Sequence, residues 1–335
     1  MATSVSSASM LEAETRAVCT FETNQNAEQN VLGQFIPLHY HFQMLQDKQR
    51  LEGFRRAMEL HIQPGMHVLE LGGGTGILSS FAARCGATVT CVERNPELVS
   101  FARRTLQTNG LDQQVTVVEG DATEFIPSQP VDVVVCEMLH VALLREKQTK
   151  VLEAFKENYL RHWNEELPRF LPEASRLMVQ MIHHPFDFDG YFAPLPIFQA
   201  PDKTANDGLM ELSPLVDYAH IFYDEPISDT VRWRGRLRVS NSGFVSALRF
   251  VTQNFLSVES HGDSPTWPNQ FLILPIQEPS PVLAGQEIDV EFSYRFGDPI
   301  ESLHQSIRME YLPVTQEGDR LCGSDYLSRQ STCSS

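Results

Sequence analysis

The sequence predicts a doubly wound parallel α/β sheet followed by an antiparallel β domain of barrel or sandwich type. Three observations carry this. From about 33 to 172, short β-branched runs alternate with helical patterns, the order that builds βαβ units. A glycine-rich loop follows the first of those strands directly. After Pro168 and Pro172 the helical period gives way to alternation of apolar and polar residues, which suits half-buried strands.

The elements read in order as follows. Val68 to Leu71 is a strand, Ile77 to Cys85 a helix and Thr88 to Val92 a second strand. Pro96 to Asn109 is a helix with Asn95 as its cap, since proline suits the first helical position. Val115 to Val118 and Val131 to Cys136 are two more strands, the second apolar throughout as in a strand covered on both faces. Glu146 to Trp163 is a helix with Val151, Phe155, Tyr159 and Trp163 on one stripe. Val231, Trp233, Leu237 and Val239 alternate with Arg232, Arg234, Arg236 and Arg238, and Ile288 to Phe296 shows the same period. The arginine face is either paired with acids or a docking surface for an acidic partner.

The chain has 335 residues, of which 42 % are hydrophobic, enough for two domains with a sizeable core. The expected division is a polar tail over 1–32, a first domain over 33–172, a β domain over 173–320 and a Ser-rich tail over 321–335. Residues 183–228, rich in Pro, Phe and Asp without a clear period, are expected to form a protruding arm. The formal charge of −17 disfavours nucleic acid as a partner and favours a basic protein or peptide. Six cysteines without a C-x-x-C pair argue against a zinc ribbon or a secreted disulfide framework. His39, His41, His183, His184, Asp187 and Asp189 follow no recognised ligand spacing, so no metal site is expected. The first 20 residues lack the pattern of a signal peptide, and no apolar run reaches membrane-spanning length. The expectation is a reduced, soluble, cytoplasmic protein.

The chemistry begins at Glu70-Leu71-Gly72-Gly73-Gly74-Thr75-Gly76, where glycines let backbone approach a ligand at the carboxyl end of a strand. The G-x-G-x-G spacing matches neither the dinucleotide fingerprint nor a P-loop. Glu93 ends the next strand, where a carboxylate can accept both ribose hydroxyls. Asp121 and Ala122 follow the third strand, and Asp121 can accept from an adenine amino group. Three strand ends thus converge on one nucleoside. At these residues the sequence resembles the class I S-adenosylmethionine-dependent methyltransferases, whose E-x-G-x-G-x-G pattern is matched by Glu70, Gly72, Gly74 and Gly76. The resemblance implies a Rossmann-like sheet, S-adenosyl-L-methionine as cofactor, Glu93 on the ribose and Asp121 with Ala122 on the adenine side.

Glu137 ends the fourth strand, and Glu146 follows nine residues later. A loop between them can turn both carboxylates toward one cation, for which a planar guanidinium is the natural fit. Taken singly, Glu137 is also readable as a strand-end acid capping the next element, and Glu146 equally as a helix-start charge favoured by the dipole. This spacing resembles the double-glutamate loop of protein arginine methyltransferases. Met44 to Arg50 is similar to that family's M-L-K-D-x-x-R helix, Leu171-Pro172-Glu173 to its F/L-P-D segment, and Thr266-Trp267 to its T-H-W loop. The resemblance implies methyl transfer to a guanidinium nitrogen of a protein, with Glu137 and Glu146 as catalytic residues and Arg50 on the methionine carboxylate. It also implies a C-terminal β-barrel and a homodimer built through the arm. Leu139-His140-Val141 replaces the family's Met-Gly-Tyr, and Thr266 replaces its histidine. His140 is readable as a proton acceptor or as a packing residue. Two other readings stay open: a methyltransferase acting on a small amine, guanidine or hydroxyl compound, and a non-enzymatic module that binds the cofactor or a partner.

Overall fold

The computed structural model describes residues 36, 38–163, 166–201, 208–259 and 264–312. Both expected tails, and with them Cys19, Cys322 and Cys333, lie outside the described residues.

Strands β1 (His67–Leu71), β2 (Thr88–Glu93), β3 (Val115–Glu119), β4 (Val133–Cys136) and β5 (Arg169–Leu171) form one sheet. Their order is β3-β2-β1-β4-β5, and every pair is parallel. The chain works outward from β1 to β3, then returns to β4 on the other side of β1. The carboxyl ends of β1 and β4 therefore frame the crevice where open α/β sheets bind ligands. Helices α1 (Leu38–Gln46) and α2 (Lys48–His61) precede the sheet; α3 (Ile77–Arg84), α4 (Pro96–Thr108) and α5 (Gln148–Trp163) connect its strands. The cap of α4 is as predicted: Asn95 accepts from the Glu97 amide at 3.0 Å, with Pro96 in the first turn. The stripe on α5 buries Val151, Phe155 and Tyr159 against the sheet.

Helix α5 begins at Gln148, two residues later than the pattern suggested. Arg145 has φ 62°, and the Glu146 amide bonds back to the Leu144 carbonyl at 2.6 Å. That local turn keeps Glu146 off the helix. Strand β4 likewise starts at Val133, two residues late.

After β5 the chain builds antiparallel sheets, as predicted. The larger one contains β6 (Ala174–His183), β9 (Ile197–Gln199), β10 (Met210–Glu211), β11 (Val216–Phe222), β13 (Gly243–Phe255), β14 (Thr266–Pro268) and β15 (Phe271–Val282). A three-stranded sheet joins β12 (Thr230–Arg238), β16 (Glu287–Arg295) and β17 (Arg308–Tyr311), with α6 (Ile300–Ser306) before β17. Val179, Leu248, Phe250 and Leu272 of the first sheet share a core with Val290 and Phe292 of the second. The arginines of β12 project outward, where Arg236 pairs with Asp289 at 2.7 Å and Glu287 at 3.2 Å. This favours the acid-paired reading of that face, and exposed pairs of this kind add little to stability.

The arm expected over 183–228 is shorter than that range. β11 pairs with β6 along Val216–Phe222, so this stretch belongs to the main sheet. A register shift between Asp217 and Ala219 breaks its alternation and hides the strand from a period-two reading. What protrudes is the hairpin of β7 (Asp187–Phe188) and β8 (Tyr191–Phe192), with Tyr191 77 % and Phe192 71 % exposed.

The two halves are tied at both ends of α2. Asp47 caps α2 by accepting from the Arg50 amide at 2.9 Å, and its other oxygen accepts from the Trp267 indole N–H at 2.9 Å. At the far end the His61 ring meets the Ser257 hydroxyl at 2.6 Å.

Candidate active site

One cavity at the carboxyl edge of the parallel sheet is lined by Arg50, Glu70, Gly72, Gly74, Glu93, Asp121, Ala122, Glu137 and Glu146. Nine of the ten residues singled out from sequence thus meet on one surface. Gly76 is the exception. It is the N-cap of α3, and a Cβ there would lie 3.4 Å from Ala102, so it serves helix packing.

The floor is the loop after β1. Gly72 and Gly74 have φ 75° and 53°, a region that glycine enters without strain. A Cβ on Gly72 would come within 3.1 Å of the Met138 sulfur, and one on Gly74 within 2.9 Å of the His41 ring. Beneath the loop, the Glu70 carboxylate accepts from the Ser79 amide at 2.9 Å and also from the Ser79 hydroxyl. Burial pushes its pKa up to about 7 against these hydrogen bonds. This engagement makes Glu70 a brace between β1 and α3 as well as a lining residue.

On the far wall Glu93 accepts from the Gly74 amide at 2.8 Å and from the Asn95 amide at 2.7 Å. Asp121 accepts from the amide and hydroxyl of Thr123 at 2.9 and 2.8 Å, and its other oxygen faces Arg94 at 3.2 Å. Its carboxylate therefore organises its own loop, and the turn at Ala122 remains as cavity lining. Burial opposes these partners at Asp121, whose carboxyl nonetheless lies below the usual range.

The near wall carries the two glutamates. Arg50 is 6 % exposed, and its guanidinium donates twice to Glu137 Oε2, through Nε at 3.0 Å and through Nη2. Among the described residues Glu146 pairs with no base; burial, with the charge of Glu137 added, pushes its pKa up to about 8. Between the glutamates the chain takes left-handed conformations at Ala142, Leu143 and Arg145. The β domain holds that turn: the Ala142 amide donates to the Thr252 hydroxyl at 2.7 Å and the Arg145 amide to the Asp298 carbonyl at 2.8 Å. His140 stacks edge-on against Phe198 and does not line the cavity. Burial, reinforced by Arg145, lowers its pKa to about 4, which favours packing over proton uptake.

Sequence reasoning named His41 among possible metal ligands and gave it no individual role in the nucleotide cavity. It lines the cavity, and its Nε2 is buried without a hydrogen-bond partner among the described residues. The spacing of His39 and His41 gives no sign of a cavity residue; the contact of His41 with Gly74 exists only in three dimensions. Lys147 and Lys150 also line the cavity and were not anticipated.

Comparison with known proteins agrees with this geometry. Residues 68–161 match the family described as "Methyltransferase domain". An uncharacterized protein of Methanothermobacter thermautotrophicus is 28 % identical over 80 % of this chain and 97 % of its own length. The arginine N(omega)-methyltransferase of Streptomyces achromogenes subsp. streptozoticus is 33 % identical over 43 % of this chain, and the match spans 40 % of that protein. Among solved structures, the Trypanosoma brucei PRMT1 enzyme-prozyme heterotetrameric complex with AdoHcy superposes with a TM-score of 0.62 at 17 % identity, covering 81 % of this chain and 96 % of that one. The chain is an enzyme that transfers methyl groups from S-adenosylmethionine, and its first domain is similar to the class I methyltransferases. Within that class it resembles the protein arginine methyltransferases.

Proposed function

We propose that the chain methylates a guanidinium nitrogen of arginine in a basic protein or peptide. The observation that carries this is the seat of Glu137 and Glu146, at opposite ends of one loop yet both on the wall of the cofactor cavity. Two carboxylates in one cleft repel each other unless a cation lies between them. A guanidinium offers that charge in a plane suited to bidentate pairing.

The residues fit the cofactor. Glycine cradles that a Cβ would fill and the orphaned His41 Nε2 mark a surface shaped for a polar ligand. Arg50 would hold its carboxylate, Glu93 its ribose hydroxyls, and the Asp121–Ala122 turn its adenine, over the backbone of Gly72 and Gly74. When bound, S-adenosylmethionine supplies a methyl group on an electrophilic sulfonium. The protein's own part is positioning and electrostatics. Glu137 and Glu146 orient the acceptor and draw its positive charge toward the carboxylates, leaving electron density on the attacking nitrogen. Arg50 couples the two subsites, because the guanidinium that would meet the cofactor is already bonded to Glu137.

The test is transfer of tritiated methyl from S-adenosylmethionine to a panel of arginine-containing basic peptides and free guanidines. Label in the peptides supports the proposal, and label confined to free arginine or other small guanidines replaces it with the small-molecule reading. The latter has one structural point in its favour: Val141 and Thr266 stand where the resemblance expects tyrosine and histidine.

The same proposal includes a homodimer. The exposed aromatic rings of the β7–β8 hairpin support a second copy of the chain as the partner. Light scattering on the purified protein is expected to give twice the mass of 37.9 kDa.

A further inference from the structure

We propose that Gln148 is a positioning residue that holds the backbone on both sides of Glu137 and ties it to Glu146. Its Oε1 accepts from the Met138 amide at 2.9 Å, and its Nε2 donates to the Cys136 carbonyl at 2.8 Å. The side chain thus presents one acceptor and one donor to the strand end, as a neighbouring peptide group would. The inference rests on the methyl-transfer reading of Glu137 and Glu146.

The need for it arises where β4 stops. The ladder between β1 and β4 ends at the pair Leu71 and Cys136. The next peptide groups, on either side of Glu137, lose their strand neighbour while still in the protein interior. Buried backbone groups require partners. A residue of the right length, carrying both hydrogen-bonding senses, meets the two at once. Gln148 is 2 % exposed, so water does not compete for these bonds.

Its place in the chain gives this clamp a second effect. Gln148 opens α5 only two residues beyond Glu146. Any shift of the start of α5 therefore moves Glu146 and the backbone of Glu137 together, which preserves the gap between the carboxylates. The β domain holds the rest of the loop, Thr252 taking the Ala142 amide and the Asp298 carbonyl the Arg145 amide beside Glu146, but neither bond reaches the peptide groups flanking Glu137. The sequence pattern alone gave Gln148 no role, since it reads as an ordinary polar residue at a helix start.

The test uses the full chain and Gln148→Met, which keeps length and removes both hydrogen bonds. A misplacement of about 1 Å can cost about a hundredfold in rate, so kcat on an arginine-glycine-rich peptide is expected to fall by about that factor. Affinity for S-adenosylhomocysteine, measured by calorimetry, is expected to fall far less than kcat, because Gln148 itself lies outside the cavity lining and meets it only through the Met138 backbone. A lower melting temperature with unchanged kcat would reduce Gln148 to a structural role and overturn the proposal. A second measurement needs no variant: the Met138 amide of the wild-type chain is expected to resist hydrogen exchange, and free exchange there overturns the clamp. If the wild type labels no acceptor at all, the methyl-transfer reading fails, and the exchange measurement still decides whether Gln148 holds the strand end.

Discussion

Glu137→Gln is expected to lower methyl transfer by about a thousandfold while leaving affinity for S-adenosylhomocysteine no weaker than in the wild type. The substitution preserves shape and removes one charge. On the acceptor side it deletes half of the anionic pair that faces the guanidinium, and hydrogen bonds to charged groups contribute about 1.5–3 kcal/mol each. The larger part of the loss comes from orientation, since an amide presents one donor where the acceptor's N–H groups need a lone pair. On the cofactor side the effect has the opposite sign. Arg50 is nearly buried, and Glu137 is its ion-pair partner in the structure. Removing that anion leaves a buried guanidinium uncompensated, at a cost of about 3–5 kcal/mol. The unliganded variant should therefore melt well below the wild type. The carboxylate of S-adenosylhomocysteine then meets an arginine that no longer shares itself with Glu137, and the ligand should raise the melting temperature more in the variant. Calorimetric affinity, melting with and without ligand, and label transfer together check this. A tenfold loss of ligand affinity would show that Glu137 serves the cofactor and not the acceptor.

The parts of this site that were legible in the sequence are those written in adjacent residues. Glycines directly after a short, mostly apolar run mark a strand-to-helix turn, so the loop at Gly72 and Gly74 was visible, and with it the strand-end acids Glu93 and Asp121. The parts that were hidden depend on contacts across long stretches of chain. Arg50 reaches Glu137 over 87 residues, and Asp47 reaches Trp267 over 220. No local pattern encodes either bond. Glu146 shows the boundary between the two cases. Its carboxyl group was read as one of a pair, yet its place before α5 depends on left-handed residues that are alanine, leucine and arginine, types that give no warning of that conformation. They are held there by the β domain, so the geometry of the loop is a tertiary property. The strand β11 was missed for a different reason. Its alternation runs through Val216 and Tyr218 and then slips at a bulge, which reverses the faces of the residues that follow.

Acceptor binding is expected to release about one proton per site at pH 7, and this follows from the environment of Glu146. Its pKa lies at about 8, raised from 4.5 first by burial and then by the charge of Glu137; Arg50 and Arg145 oppose the shift without cancelling it. The unliganded site therefore holds a neutral Glu146 at pH 7. Stability from that proton is fully present below about 4.5 and is lost as pH rises through about 8, since the folded state binds the proton more tightly than the unfolded chain. A guanidinium placed against the carboxylate reverses the preference, because a nearby cation favours the charged form. Below about 8 the affinity for a guanidinium peptide should then rise about tenfold per pH unit and level off above it. Calorimetry in two buffers of different ionisation enthalpy reads the proton directly: the apparent heats should differ by about one buffer ionisation per peptide bound. Glu146→Gln should abolish both the buffer dependence and the slope with pH, while the wild-type heats with S-adenosylhomocysteine alone show neither. Equal heats in the two buffers would mean that Glu146 is already ionised before the acceptor arrives, and that the cleft does not use the cation to discharge its own repulsion.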